Sequence, residues 1–272
     1  MSNIFRNGVG NLKVINHDLS KDYENLFIYI LADLHLGESL VDTRRVDQLL
    51  NEIKSNDNAR LIVNGDLINN GIKESVSDIY HETMKPSEQI KKLAQLLEPI
   101  KDKILVMTDG NHEARTSKKV GINLMETVAI ELFGREKAEE IYSNEPYLLF
   151  LSFGRNRGRD ERQTIYSIYG RHGSGGGRTV GAKLNHLERM FEQVNADVFI
   201  HSHTHVPAVF KLGSHNVDYK NRKATYKEHL FVNSNAFLLH GGYGEAFGYR
   251  PTNTTFPVII LNGYKRHSQC LL

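Results

Sequence analysis

The chain has 272 residues, 34 of them basic and 32 acidic for a formal net charge of +2, with 40% apolar and 24% charged residues. That length suits one large α/β domain, taken as residues 1–272, and the composition excludes disorder, collagen, coiled coil and the strongly basic footprint of a nucleic-acid coat, though not a local basic patch. The single cysteine, Cys270, excludes an internal disulfide; the longest apolar run, residues 26–32, is far short of a bilayer span; and MSNIFRNGVG lacks the apolar stretch of a secretory signal, so a cytoplasmic protein with no membrane partner is expected.

Residues 1–24 are polar and aperiodic and read as an added edge or arm. Residues 26–32 (LFIYILA) have the continuous apolar pattern of a strand buried on both faces, and Val46, Leu49, Leu50 and Ile53 then follow helical spacing. A second buried strand, residues 61–63, ends at Gly65-Asp66. Ile90, Leu93, Leu96, Leu97 and Ile100 mark the next helix, and a third strand, residues 104–107, runs into Gly110-Asn111-His112-Glu113. Strands alternating with helices predict parallel pairing in this half.

Farther on, Met125, Val128, Ala129 and Leu132 predict a helix, and residues 147–153 and 163–169 two strands of a hairpin around the polar tip GRNRGRDER. Leu184, Leu187, Phe191 and Val194 mark another helix, followed by a strand at 197–200 and then HSHTH. Three β-like segments, AVFKL, HLFVN and FPVIIL, complete the pattern, which contains neither an internal repeat nor a linker long enough to divide domains.

The chemistry-bearing residues collect where these strands end: Asp33 and His35, Asp66, Asn111 and His112, His172, and His203 and His205. The C-terminal strand edge is where open α/β sheets bind ligands, so the groups are expected to converge. They offer carboxylate, imidazole and amide donors and no thiolate, a set suited to manganese, iron or zinc rather than to calcium or a cysteine-built structural zinc. With His112 set aside, the seven remaining groups exceed what one catalytic ion usually takes from protein and fit two ions sharing a carboxylate.

The ordered set DxH, GD, GNHE, a lone histidine and HxH resembles the calcineurin-like metallophosphoesterases, over a stretch from Asp33 to His205. One departure is Ser202, which stands where that family usually has glycine before its last His-x-His; its small size points to an altered turn rather than a lost ligand. The resemblance implies an α/β fold, a four-layer αββα sandwich of two mixed β-sheets flanked by helices. It also implies two divalent or trivalent ions per chain, manganese first among them, with iron, zinc or nickel as the others. Asp33, His35, Asp66 and His205 would hold one ion, and Asp66, Asn111, His172 and His203 the other, with Asp66 bridging. A hydroxide between the ions would attack phosphorus in line, and His112 would protonate the leaving oxygen or steady the transition state.

Each piece also has a plainer reading. Asp33 and His35 alone are a strand-end carboxylate and a partly exposed histidine, and Asp66 alone a helix cap or turn former. His186 competes with His172 as the lone ligand, but falls inside a helix. His201 reads as a packed or supporting histidine, and His17, His81, His215, His229, His240 and His267 as surface or core. The glycine-rich stretch from Gly173 to Thr179, with Arg178, is either a phosphate cradle or a flexible loop. Arg155, Arg157, Arg159 and Arg162 are a polyanion contact or a solvated hairpin end, and Gly241 to Tyr249 a cleft border whose two tyrosines stack on a base or pack in the core.

Within the family, Ser/Thr protein phosphatases carry one arginine in a GDxxDRG motif and one just before GNHE. Here Asn70 and Asp109 stand at those positions, against a protein phosphatase. Asp33-Leu34-His35-Leu36-Gly37 resembles the DxHLG of the family's DNA-repair nucleases and of other branches, and the chain lacks those nucleases' long C-terminal extensions. The GGGRT stretch and the region of Tyr243 and Tyr249 look most like compact bacteriophage-encoded members, which would act in the host-cell cytoplasm. The expected activity is that of a phosphodiesterase or nuclease on a nucleotide or nucleic-acid ester, with Asn111 and Arg178 also touching substrate. The alternatives are a phosphomonoesterase and a non-catalytic metal-binding scaffold; scaffolds of that kind generally lose ligands, and here every position is filled.

Overall fold

The computed structural model describes residues 12–19, 23–72, 82–144, 146–154, 163–177, 179–241, 245, 251 and 254–272. Its first sheet has the order β12-β11-β2-β3-β4-β5 and is built on β2 (Asn25–Leu31), β3 (Ala59–Asn64), β4 (Ile104–Thr108) and β5 (Tyr142–Ser143), all parallel; β11 (Val258–Asn262) and β12 (Ser268–Leu271) add antiparallel strands at one edge. The second sheet has the order β1-β6-β7-β8-β10-β9, comprising β1 (Lys13–Leu19), β6 (Tyr147–Phe153), β7 (Thr164–Gly170), β8 (Val198–His201), β9 (Ala208–Asp218) and β10 (Lys223–Asn233). It too is mixed: β1–β6, β7–β8 and β8–β10 pair parallel, β6–β7 and β9–β10 antiparallel.

Strand alternation explains how the layers close. Along β2, Ile28 and Ile30 face the second sheet and join Ile62, Val106 and Ile259 against Leu149, Leu151, Ile168, Val198 and Val232. Tyr29 and Leu31 face the other way, onto α1 (Thr43–Ser55), α2 (Pro86–Leu97), α4 (Leu124–Phe133) and α5 (Arg135–Ile141), through Leu49, Ile53, Leu93, Leu97, Met125, Val128 and Ile141. On the far side of the second sheet, Leu187 of α6 (Val180–Arg189) and nearby Met190 cover Tyr169, Phe199 and Phe231. The result is the four-layer αββα sandwich. No helix among the described residues is long and apolar enough to cross a membrane.

The strands at 26–32, 61–63, 104–107, 147–153, 163–169 and 197–200 all form, within a residue or two of their expected bounds. Two helices had not been expected. In α3 (Asn111–Val120, NHEARTSKKV) the buried position carries Glu113 rather than an apolar stripe, and α5 is only seven residues long. The supposed arm holds a full edge strand, β1. Its inward positions are Lys13, Ile15, His17 and Leu19, so the alternation is masked by His17, whose Nε2 lies 2.8 Å from the Leu105 carbonyl of the opposite sheet.

Tyr166 of β7 ties the sheets together at one end. Its hydroxyl lies 2.7 Å from the Asn262 carbonyl and 3.0 Å from those of Lys265 and His267, and accepts the His267 N–H at 2.8 Å. Tyr166→Phe leaves those backbone groups without this partner, at a cost of about 1–3 kcal/mol. Chemical denaturation should show that loss, and an unchanged midpoint and slope would remove the tether from the account.

Candidate metal centre

The C-terminal ends of β2, β3, β4, β7 and β8 lie along one edge of the sandwich, and each releases a short turn carrying the polar residues picked out in the sequence. Among the described residues, seven non-glycine positions have positive φ, and five of them are Asp33, His35, Asp66, His203 and His205. The left-handed region costs an ordinary L-residue about 1–2 kcal/mol, although Asp and His tolerate it better than most. Such bends turn successive side chains to the same side, so that Asp33 and His35, and likewise His203 and His205, face one space. Strain concentrated in this way marks functional turns.

Hydrogen bonds fix what the bends aim. Asp33 Oδ2 accepts the His203 N–H at 3.0 Å, and Asp66 Oδ1 accepts the His112 N–H at 2.8 Å, which leaves one oxygen of each carboxylate directed at the imidazoles. His172 Nδ1 lies 2.8 Å from the Asn64 carbonyl and so donates there, presenting Nε2 inward, 3.1 Å from Asp66 Oδ2 and 3.9 Å from Asp33 Oδ1. His205 Nε2 is 3.1 Å from Asp33 Oδ1 and 3.5 Å from His35 Nε2. Ligand-capable atoms gather in three sets, each within 4.8 Å: Asp33, His35 and His205; Asp66, His172 and His203; and His35, Asp66 and His112. The first set holds three of the four residues expected around one ion, without Asp66, and the second three of the four expected around the other, without Asn111. The third brings His112 close enough to rank beside the ligands. Asn111 opens α3 next to them and is exposed.

Two atoms test whether cations suit this cage. Asp33 Oδ1 and His172 Nε2 are fully buried, and neither has a partner in hydrogen-bond geometry despite the short approaches around them. A carboxylate and an imidazole nitrogen left facing one space are costly unless a cation or proton settles them. The donor set of oxygen and imidazole nitrogen without sulfur suits a divalent or trivalent transition ion. Charge runs the same way. Burial alone would raise Asp33 and Asp66, but His205 and His172 hold Asp33 down to about 2, and His172 leads the groups that keep Asp66 well below the carboxylate range. Burial works against protonating His172 as well, yet Asp66 and Asp33 outweigh it and lift the imidazole to about 10. Burial keeps His35 well below its usual value, with His112 adding to the effect.

Other residues that the sequence left without a role support the cage. Glu113, wholly buried, accepts the N–H groups of Asp66 and Gly110 on Oε2 and of Leu67 and Ile68 on Oε1, at 2.8–3.1 Å. Burial and the Asp66 and Asp109 charges push its pKa up, against the pull of its N–H donors. Its place at the third residue of a helix that begins right after glycine is the signal that reveals it in the sequence. Gly110 has no alternative, since a Cβ there would fall 2.1 Å from Asp66 Oδ1. Asn64 donates to Ser202 Oγ at 2.6 Å and to the Arg171 carbonyl at 2.9 Å, so Ser202 is buried and bonded in the turn that carries His203 and His205.

His201 packs behind the cage, with Nδ1 2.9 Å from Asn233 Oδ1, and burial holds it down to about 4. His186 stacks on His201 at 6.3 Å and lies outside the three sets. The glycine-rich turn packs on these rings: a Cβ at Gly173, where φ is +101°, would meet His201 Nε2 at 2.1 Å. Arg178, the arginines of 155–162, His81 and most of 241–249 lie outside the described residues.

The sequence model of the calcineurin-like phosphoesterases matches residues 27–207. Among solved structures, a conserved uncharacterized protein from Streptococcus pneumoniae, described as a predicted phosphoesterase, is 14% identical with a TM-score of 0.32, over 91% of this chain and 97% of that one. GAP50, the anchor in the inner membrane complex of Plasmodium, is 11% identical with a TM-score of 0.47, over 88% and 82%. No curated protein matches the sequence.

Asp66→Asn tests the shared carboxylate. Asparagine keeps an oxygen for the His112 N–H but lacks the charge that offsets repulsion between two cations. Elemental analysis should find the purified variant below two ions per chain, with its far-ultraviolet circular dichroism unchanged. Two ions retained would rule out Asp66 as the bridge.

Proposed function

The chain belongs to the calcineurin-like phosphoesterase family, whose members hydrolyse phosphoesters, and on that footing we propose that it is a phosphodiesterase acting on a nucleotide or nucleic-acid ester. The observation that carries this reading is the pair of three-residue sets, one around Asp33 and one around Asp66, that share a buried space at the strand ends. In the proposed division Asp33, His35, Asp66 and His205 hold one ion, and Asp66, Asn111, His172 and His203 the other. Manganese is the first choice, and iron, zinc and nickel the alternatives. Two such ions supply an activated water as nucleophile and neutralise charge gathering on the phosphoryl oxygens.

Preference for a diester is supported by what stands at the two positions where protein phosphatases carry arginine. Asn70 is buried and turned to the scaffold, its Nδ2 donating to the His112 carbonyl at 2.6 Å and to Thr116 Oγ1 at 3.0 Å. Asp109 accepts the Tyr142 hydroxyl and the Met125 N–H. Neither position offers a cation to the second charge of a phosphomonoester.

His112 is assigned to the leaving side. Its Nδ1 donates to the Asn69 carbonyl at 2.7 Å, which fixes the ring and directs Nε2 toward the site, 4.0 Å from Asp66 Oδ2. Burial lowers its proton affinity, with Arg115 adding to the effect and Asp66 opposing it. The negative charge of a bound phosphoester favours the protonated ring, which then donates to the departing alkoxide.

Two comparisons check this. With equal metal and pH, bis-p-nitrophenyl phosphate should give a higher kcat/KM than p-nitrophenyl phosphate, and a clear preference for the monoester would make the protein a phosphomonoesterase. His112→Ala should slow a diester with an alkyl leaving group by about 10²–10⁴-fold. It should slow the bis-p-nitrophenyl ester, whose leaving group needs no proton, far less, with metal content kept. Equal losses, or a lost ion, would make His112 a ligand instead, as its place in the third set of ligand atoms allows.

A further inference from the structure

Helix α3 starts at the metal centre and leads away from it. Its one acidic residue, Glu113, is buried beneath the site, while Arg115 is half-buried and Lys118 and Lys119 are exposed. Positions 115, 118 and 119 are three and four residues apart and therefore share a helix face. Arg115 stands at the near end of that face. Its Nη1 donates to the Asn69 carbonyl at 3.2 Å and its Nη2 approaches His112 Nε2 at 2.9 Å, so the guanidinium lies one imidazole ring away from the Asp66 carboxylate.

We propose that this face binds the phosphates that neighbour the scissile one, with Arg115 taking the first, and that the substrate is a polynucleotide strand rather than a mononucleotide or a cyclic nucleotide. The inference rests on the phosphodiesterase reading above and narrows its substrate class. An uncharged imidazole nitrogen is a weaker acceptor for a guanidinium than a phosphate, which can take two of its parallel N–H groups at once. An arriving phosphate therefore competes with His112 Nε2, the atom the leaving oxygen needs, for Arg115, whose guanidinium also feels the Asp66, Glu113 and Glu82 carboxylates. Arg115 and Lys119 are about 6 Å apart along the helix axis, a spacing at which one extended strand can meet both with different phosphates.

The test uses the full-length, manganese-loaded protein and three variants, Arg115→Gln, Arg115→Lys and the double change Lys118→Gln/Lys119→Gln. Each is assayed on a labelled single-stranded twelve-nucleotide thymidylate and on bis-p-nitrophenyl phosphate, which has no neighbouring phosphate, across a series of potassium chloride concentrations. Wild-type kcat/KM on the oligonucleotide should fall steeply with salt. Arg115→Gln should lose at least about tenfold more on the oligonucleotide than on the small ester, the size expected for a lost charge-assisted phosphate contact. The double change should act mainly through KM and flatten the logarithmic salt slope by about 0.7 for each phosphate contact removed, with the same flattening in anisotropy titrations of the labelled strand. Arg115→Lys, which keeps the charge, should retain the slope. Equal losses on both substrates, an unchanged slope, or a wild type that cleaves the small ester yet prefers a cyclic nucleotide to the strand would overturn the proposal and leave the phosphodiesterase reading standing. A metal-loaded wild type that cleaves neither diester removes both.

Discussion

Four backbone N–H groups converge on the carboxylate of Glu113, and the geometry of the whole centre depends on that convergence. Three of them belong to the turn after β3 and one to the turn after β4, so a single buried side chain clamps two strand ends in fixed register. The clamp sets the Asp66 main chain, and the His112 N–H then fixes which Asp66 oxygen remains for the imidazoles. A buried carboxylate is costly unless its lone pairs are filled, and here the turns it organises fill them. Glu113 touches none of the inward-facing atoms, yet it determines where Asp66 points.

The sandwich makes such precision affordable. Apolar packing on both faces of β2, β3 and β4 fixes the strands up to their last residue, so that the turns beyond them begin from rigid ends. Five left-handed non-glycine residues in those turns would be a liability on a loose scaffold. Here the hydrogen bonds from the His203 N–H to Asp33, from Asn64 to Ser202, and from His172 to the Asn64 carbonyl offset the strain and hold the inward-facing atoms in place. The strain and the unmatched polar atoms lie at the same place, where cations would relieve the second and hydrogen bonding balances the first.

What could be read from the sequence divides along physical lines. Buried strands such as 26–32 announce themselves because both faces are apolar, and the polar residues that follow them mark the site because a strand end is where a buried chain meets solvent. The grouping of Asp33 with His205 and of Asp66 with His172 comes from the resemblance to the calcineurin-like family and not from the strand pattern, which says only that these residues share an edge. α3 stayed hidden because its inward face is built from a carboxylate that meets N–H groups rather than from apolar residues that meet a core, a pattern invisible to hydrophobic periodicity. β1 stayed hidden because His17 occupies an inward position and satisfies its ring on a carbonyl across the sheets. Arg115 gave no signal at all, since its significance lies in contacts with His112 and Asn69 that only the folded turn creates.

The central claim is that the inward-facing Asp33 Oδ1 and His172 Nε2 belong to a two-cation cage already formed by the fold. Calorimetric titration of the chelator-stripped protein with manganese, paired with its melting temperature, addresses this directly. The account predicts binding that saturates at two ions per chain, released protons as His172 gives up its own, and a melting temperature that climbs with free metal. At a hundredfold excess over Kd, one such site adds about 2.7 kcal/mol to stability. A protein that takes up no manganese, iron, zinc or nickel and melts at the same temperature in their presence would contradict it.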